Sequence, residues 1–273
     1  MTGSNSEAHV VCQVLGHVDL LTGISWCDQM QRQTRAVLGL LVNARGNRLT
    51  VSRIAELIWG EKAPSSANDV VYKHIRKLRG MLGPGADAVL KSARSAGYWL
   101  DPARCSIDAV NFRDLVSTGR FHYARGEFHL SASVLEEAIG LWRGDEAFAD
   151  VREVLWLQEA AVALETERAW AEELRADCYL RAGRTHDALA LLAALQVRHP
   201  TREGVWALSM TAHAAAGMSA EATEAFARFR VHLRDTAGLD PSPRLGRIHA
   251  AILDNVSPVE LLMVMADVHC VTP

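Results

Sequence analysis

The 273-residue sequence predicts a mainly α-helical chain in two parts: a small α+β unit of three helices with short strands, then an all-α array of paired helices. Three observations carry this. Short alternating apolar runs near the N-terminus give way to helical spacing after about residue 31. Charge divides unevenly, since residues 1–105 hold 13 Lys+Arg against 8 Asp+Glu, a net of +5, whereas residues 106–273 hold 16 against 24, a net of −8. In the second part, glycine, small and large apolar positions recur at an interval of 34 residues.

Composition sets the outer limits. With 49% hydrophobic and 22% charged residues the chain can bury a core, which excludes disorder. Uncharged runs such as Val37–Asn43 and Ala188–Val197 fall short of the roughly 18 apolar residues of a membrane-spanning helix, so no membrane partner is expected. The first nine residues lack the basic and apolar regions of a signal peptide, which points to the cytoplasm. The five cysteines are scattered and never spaced C-x-x-C, against both a disulfide framework and a zinc site.

The first part opens with Val10–Leu15, Val18–Leu21 and Gly23–Trp26, punctuated by Gly16 and Thr22-Gly23, which read as a small antiparallel sheet. A helix follows from Arg32 to Ala44, with Val37, Leu38, Leu40 and Leu41 on its buried side and Gly46 to end it. Thr50 is a good N-cap for a short helix that turns Val51, Ile54, Leu57 and Ile58 inward and stops at Trp59-Gly60. Glu61-Lys62-Ala63-Pro64 is then a loop.

Ser66, with Asp69 three residues on, is a variant capping box that opens a third helix, ended by Gly83-Pro84-Gly85. Ala67, Val71, Ile75, Leu78 and Leu82 form one apolar stripe. At about 100° per residue the opposite side carries Ser66, Asp69, Lys73, Arg76 and Lys77, with Val70, Tyr72 and Arg79 on the flanks and His74 nearer the core edge. This cationic face lies on a helix of the length that fits a major groove. Val89–Ser92 and Gly97–Leu100, joined by Ala93-Arg94-Ser95-Ala96, make a hairpin with an arginine at its tip, a wing able to enter a narrow minor groove. A basic helix face alone is usually solvated surface; three helices, a cationic third helix and a wing together favour a winged helix-turn-helix that binds DNA.

The run Val71–Arg79, followed by Lys91–Tyr98, resembles the recognition helix and wing of response-regulator-type winged-helix output domains. Arg35–Leu41 and Leu57–Gly60 resemble the same domain in the Streptomyces antibiotic regulatory protein family, bacterial activators of secondary-metabolite gene clusters. The resemblance implies that Lys73, Lys77, Val70 and Tyr72 face bases, that His74, Arg76 and Arg79 meet phosphates, and that Arg94 is the minor-groove arginine. Asp69 departs from the pattern, because a carboxylate near phosphate is repelled; it is left as a helix cap or a cytosine reader.

From Asn111 onward the composition is helical, rich in Ala, Leu, Glu and Arg. Gly183 and Gly217, Ala188 and Ala222, Leu180 and Ala214, and Leu192 and Phe226 are each 34 residues apart, the period of tetratricopeptide-like helical pairs. A diverged copy lies around Gly126, with Ser131 and Leu135 at the same offsets. The expected layout is a hairpin over 121–143, a connecting helix and second hairpin over 156–198, a third hairpin over 205–235 and a last helix over 245–254. Trp142, Trp156, Trp170 and Trp206 are taken as ordinary packing residues. With Leu141–Gly144 and Gly238–Pro243, this layout resembles the bacterial transcriptional activator domain that follows the winged helix in the same family. The expected domains are residues 1–105, the winged helix, and 106–256, the repeat domain, with 257–273 as an extension. Within that extension, Val259–Met265 is either a docking helix or a partly ordered tail.

No catalytic apparatus is visible. The eleven histidines lack partners at ligand spacing, and nucleotide-binding, hydrolase and zinc-protease motifs are absent, so no enzyme, metal or cofactor is expected. One recognition helix covers too few base pairs for selectivity in a genome, so a homodimer on adjacent half-sites of double-stranded promoter DNA is expected. The family resemblance implies direct repeats and recruitment of RNA polymerase, through its sigma factor or alpha subunit, with Glu61, Lys62 and Ser65 as candidate contacts. The alternatives are a helical-repeat adaptor whose winged helix serves protein contacts, and a regulator whose repeats sense a small ligand.

Overall fold

The computed structural model describes residues 10–23, 25–27, 29–93, 96–257 and 260–262. Their contacts divide them into two compact units: residues 1–115 with 137–168, and residues 116–136 with 169–273. The chain thus passes from one unit to the other within three helices, α5 (Asp108–Ala124), α6 (Phe128–Gly140) and α7 (Leu155–Arg181).

The first unit contains a four-stranded sheet in the order β3-β2-β1-β6, built from β1 (Val10–Gln13), β2 (Asp19–Thr22), β3 (Ser25–Trp26) and β6 (Cys105–Ile107). The three N-terminal strands are antiparallel, with Val11 opposite Leu21 and Leu21 opposite Trp26. The fourth, β6, lies parallel to β1 with Val10 opposite Cys105. Three residues carry too little alternation to announce a strand, and β6 escaped the sequence for that reason.

Helix α1 (Arg32–Asn43) is buried nearly all round, from Ala36 through Val42, rather than along one stripe. Residues 137–168 explain the extra coverage. A Cβ on Gly39 would sit 3.1 Å from Leu157 Cδ1 and 3.5 Å from Phe148 Cδ1. The segment before α7 also pairs with the loop after β1, where Arg143 N–H donates to Leu15 O, Phe148 N–H to Val14 O and Ala149 N–H to Gly16 O. A helix apolar on every side needs such a covering, since one left exposed would face water.

Helix α2 (Val51–Trp59) is capped as expected, Thr50 Oγ1 accepting from the Arg53 N–H at 3.1 Å. Ile54 and Ala55 are its buried residues, and Val51, Leu57 and Ile58 are half-buried. A 3₁₀ turn over Gly60–Lys62 replaces the expected loop and leads to α3 (Ala67–Leu82). The Ser66 side chain makes no cap bond there. Its backbone is not in the extended conformation (φ −91°, ψ 11°) that lays a cap hydroxyl over the first turn, because a turn in which Ala67 N–H reaches Pro64 O already leads into the helix. The apolar stripe Ala67, Val71, Ile75, Leu78 and Leu82 is buried as expected. A four-residue helix α4 (Ala86–Val89) precedes the hairpin of β4 (Leu90–Ala93) and β5 (Gly97–Leu100). Gly97 is required where the hairpin meets α2: at φ +90° any side chain there would run into the Leu49 carbonyl. Leu49 and Tyr98 exchange backbone bonds at this point.

The second unit holds α8 (Thr185–Arg198), α9 (Glu203–Ala215), α10 (Ser219–Ala237) and α11 (Pro243–Leu253), with α9 packed against the other three and buried from Val205 through Ala212. The repeat is physical. Gly126, Gly183 and Gly217 all adopt left-handed backbone, φ +75°, +74° and +76°. At each turn the glycine N–H reaches back three residues and the next N–H reaches back five, the pattern that ends a helix and starts its partner. Ser131, Ala188 and Ala222 are fully buried at the equivalent positions. Phe226 is only half-buried, stacked on His249 at 4.2 Å, and Phe229 takes the inner place instead.

Three expectations on these helices change. The first helical pair begins at Asp108 rather than 121, and the connecting helix and the start of the second hairpin fuse into the 27-residue α7, which no glycine or proline interrupts. Trp142 and Trp206 are buried and Trp156 half-buried, but Trp170 is exposed and does not serve the core. Of the C-terminal extension, residues 258–259 and 263–273, and with them most of Val259–Met265, lie outside the described residues.

Candidate nucleic-acid interface

Burial of the apolar stripe of α3 turns the polar face outward. Tyr72, Lys73 and Arg76 are exposed on it, and Val70 and Lys77 are half-buried at its margins. Tyr72 stands between two open clefts. One, of about 450 Å³, is lined by Asp69, Tyr72, Lys73, Arg76, Arg79 and Tyr98; the other, of about 380 Å³, lies between the start of α2, at Thr50–Ser52, and the hairpin residues Ser92, Ala93 and Tyr98. Helix, hairpin and α2 N-terminus therefore form one continuous cationic and hydroxyl-bearing surface. Asp69 lines the first cleft together with Lys73 and Arg76.

Two of the expected phosphate contacts are placed differently. His74 is buried, at 4% exposure, on the inner side of α3. Gln33 Oε1 accepts from its Nε2 at 3.1 Å, leaving Nδ1 to accept the Thr34 hydroxyl at 2.9 Å. Burial, reinforced by the charges of Lys77 and Lys73, holds its pKa below the ordinary histidine value, so the imidazole is a neutral strut between α1 and α3 and is unavailable to DNA. Arg79 is engaged with the hairpin: its Nη2 donates to Ser92 Oγ at 3.0 Å and lies 3.3 Å from Asp87 Oδ1. Lys77 donates to Gln31 Oε1 at the start of α1.

Arg94, expected from the sequence to serve the minor groove, lies outside the described residues. Glu61, Lys62 and Ser65 are exposed in and after the 3₁₀ turn between α2 and α3. The supporting residues Gln31, Gln33, Thr34, Asp87 and Ser92 escaped sequence reasoning. Each is an ordinary polar residue whose partner lies elsewhere in the chain, and no local spacing marks it. Among the described residues no group of three or more His, Cys, Asp or Glu could hold a metal, and no helix is long and apolar enough to cross a membrane.

Comparison with known proteins agrees with this architecture. Residues 29–100 match the family model described as transcriptional regulatory protein, C terminal, and residues 107–253 match that of the bacterial transcriptional activator domain. The chain is 33% identical over 231 residues to the regulatory protein DnrI of Streptomyces peucetius, covering 81% of this chain and 84% of that protein. It is 33% identical over 222 residues to the regulatory protein AfsR of Streptomyces coelicolor, of which it spans 22%, and 30% identical over 221 residues to the transcriptional regulatory protein EmbR of Mycobacterium tuberculosis, of which it spans 57%. A solved structure of Mycobacterium tuberculosis EmbR in complex with a low affinity phosphopeptide superposes with a TM-score of 0.85 at 26% identity, covering 96% of this chain and 70% of that one.

Proposed function

The chain belongs to the Streptomyces antibiotic regulatory protein family of transcriptional regulators, and from that premise we propose that it activates a secondary-metabolite gene cluster by binding direct repeats in promoter DNA and recruiting RNA polymerase. The observation that carries this reading is the outward face of α3, where Tyr72, Lys73 and Arg76 stand exposed beside the hairpin. Arg76 anchors the phosphate backbone and sets the register; Lys73, Val70, Tyr72 and, on leaving Gln31, Lys77 meet base edges in the major groove. Arg94 senses minor-groove shape. Residues 1–105 act as the DNA-binding part, 106–256 as the activator part and 257–273 as an extension. A homodimer on adjacent half-sites supplies selectivity that one helix lacks. Glu61, Lys62 and Ser65, exposed on the turn before α3, face the polymerase sigma factor or alpha subunit. The protein acts in the cytoplasm, at the nucleoid.

The test is binding of a Lys73→Ala, Arg76→Ala double variant, across a salt series, to a duplex that the unmodified protein selects from a random-sequence library. Loss of the Arg76 phosphate contact lowers affinity and flattens the log–log salt slope by about 0.9, and loss of the Lys73 base contact lowers affinity further. Affinity and slope equal to those of the unmodified protein would mean that this face does not meet DNA.

A further inference from the structure

Arg79 occupies the last turn of α3, and its guanidinium is already committed. It reaches Ser92 Oγ on β4, Asp87 on α4, and lies 5.7 Å from the ring centre of Tyr98 on β5. Ser92 and Tyr98 are cross-strand partners, so one side chain touches both strands of the hairpin at a single register position. Its Nε is buried and, among the described residues, has no hydrogen-bond partner. Lys73 and Arg76, on the same helix, are exposed to solvent.

We infer that Arg79 is a positioning residue that locks the wing hairpin to the recognition helix, and thereby sets the specificity of the wing-proximal end of each half-site, rather than a phosphate contact. The inference rests on the DNA-binding reading above. Groove width varies with sequence, and a wing reports that variation only if it is held at a fixed distance from the helix in the neighbouring groove. A loose hairpin adapts to any width and discriminates little. The three contacts need a planar fork that can bond, pair and lie over a ring together; a lysine at this position keeps the charge and loses that geometry. The pairing with Asp87 also offsets the charge that a phosphate contact would use.

The experiment compares the full chain with its Arg79→Lys, Ser92→Ala and double variants. The probes are the selected duplex and copies altered only in the wing-proximal base pairs. Arg79→Lys is expected to lower discrimination between them about tenfold, the order of one base pair's contribution, with an unchanged salt slope. In the free protein it should also speed amide hydrogen exchange in β4 and β5. Ser92→Ala acts in the same direction, and the double variant is no worse than Arg79→Lys alone, as expected for two ends of one contact. Unchanged discrimination and unchanged hairpin exchange in Arg79→Lys overturn the inference while leaving DNA binding intact. An Arg79→Ala variant whose slope falls by about 0.9 with hairpin exchange unaltered makes Arg79 a phosphate contact and overturns it too. Failure of the unmodified chain to select any duplex removes the DNA-binding reading, and the inference with it.

Discussion

Both carboxylate oxygens of Asp108 accept the backbone N–H of Val14, each at 2.9 Å, and Oδ2 also accepts that of Leu15 at 3.0 Å. A side chain at the start of α5 thereby serves the amides just after β1, where the chain has left its strand partners. Burial pushes the Asp108 pKa up, while these N–H donors and Arg143 pull it down by less. Asp108→Ala would strand the loop amides without an acceptor. The expected loss is about 3 kcal/mol of stability, read as a lower urea midpoint at unchanged m. An unaltered midpoint would show that solvent satisfies these amides equally well.

Phe148 seals the same unit from another side. It is buried at 1% exposure, with a left-handed backbone at φ +50°, and its ring lies over Gly39 of α1. Phe148→Ala is expected to cost about 3 kcal/mol and to weaken DNA binding only through unfolding. A fragment that stops at residue 105 loses this cover entirely and should show non-native, exchange-labile α1 amides. A fragment with native-like protection at Leu38–Leu41 would show that residues 137–168 are dispensable.

His74 makes stability pH-dependent. Its proton affinity is lower in the folded chain than in the unfolded one, because burial and then Lys77 and Lys73 disfavour the imidazolium. The contribution of neutral His74 is therefore complete above about pH 6.5, the ordinary histidine value, and is lost as pH falls through the lowered folded midpoint. Imidazole NMR should place the His74 midpoint below that of an exposed histidine. Tm should also fall more steeply on acidification in the unmodified protein than in His74→Gln. Parallel Tm curves for the two proteins would remove His74 as the source.

Two glycine substitutions should have opposite signs. Gly80 lies within α3, exposed, and a Cβ added there would meet nothing within 4 Å, so Gly80→Ala should stabilise by about 0.5–1 kcal/mol. Gly183, at φ +74°, also has open space around it, yet Gly183→Ala should destabilise by about 1 kcal/mol because the backbone itself is disfavoured. Thermal unfolding measures both. A stabilised Gly183→Ala would show that the turn can relax to another conformation.

Much of the fold was legible because its signals are local. The Thr50 cap, the apolar stripe from Ala67 to Leu82 and the glycine turns at 126, 183 and 217 each lie within a few residues of the features they control. The exposed Tyr72, Lys73 and Arg76 followed from helical geometry once that stripe was recognised. The Ser66–Asp69 box failed although its residues have the right spacing, because a cap depends on a backbone angle that residue types do not reveal. Helical geometry placed His74 near the core edge, where it lies; the phosphate role that the family resemblance implied for it fails because Thr34 and Gln33 hold the imidazole inward.

The sequence by itself determined the three main helices of the first part, the glycine turns of the second, that the basic charge gathers on one helix of the first part, and which family the chain resembles. Periodicity, capping and glycine act over one or two turns, and those effects survive in a one-dimensional record. Only the tertiary structure decided that residues 137–168 enclose α1, that Asp108 holds the amides after β1, and that Arg79 joins α3 to the hairpin. Asp108 and Val14 are 94 positions apart, and such contacts arise from the packing of finished elements rather than from any spacing within them.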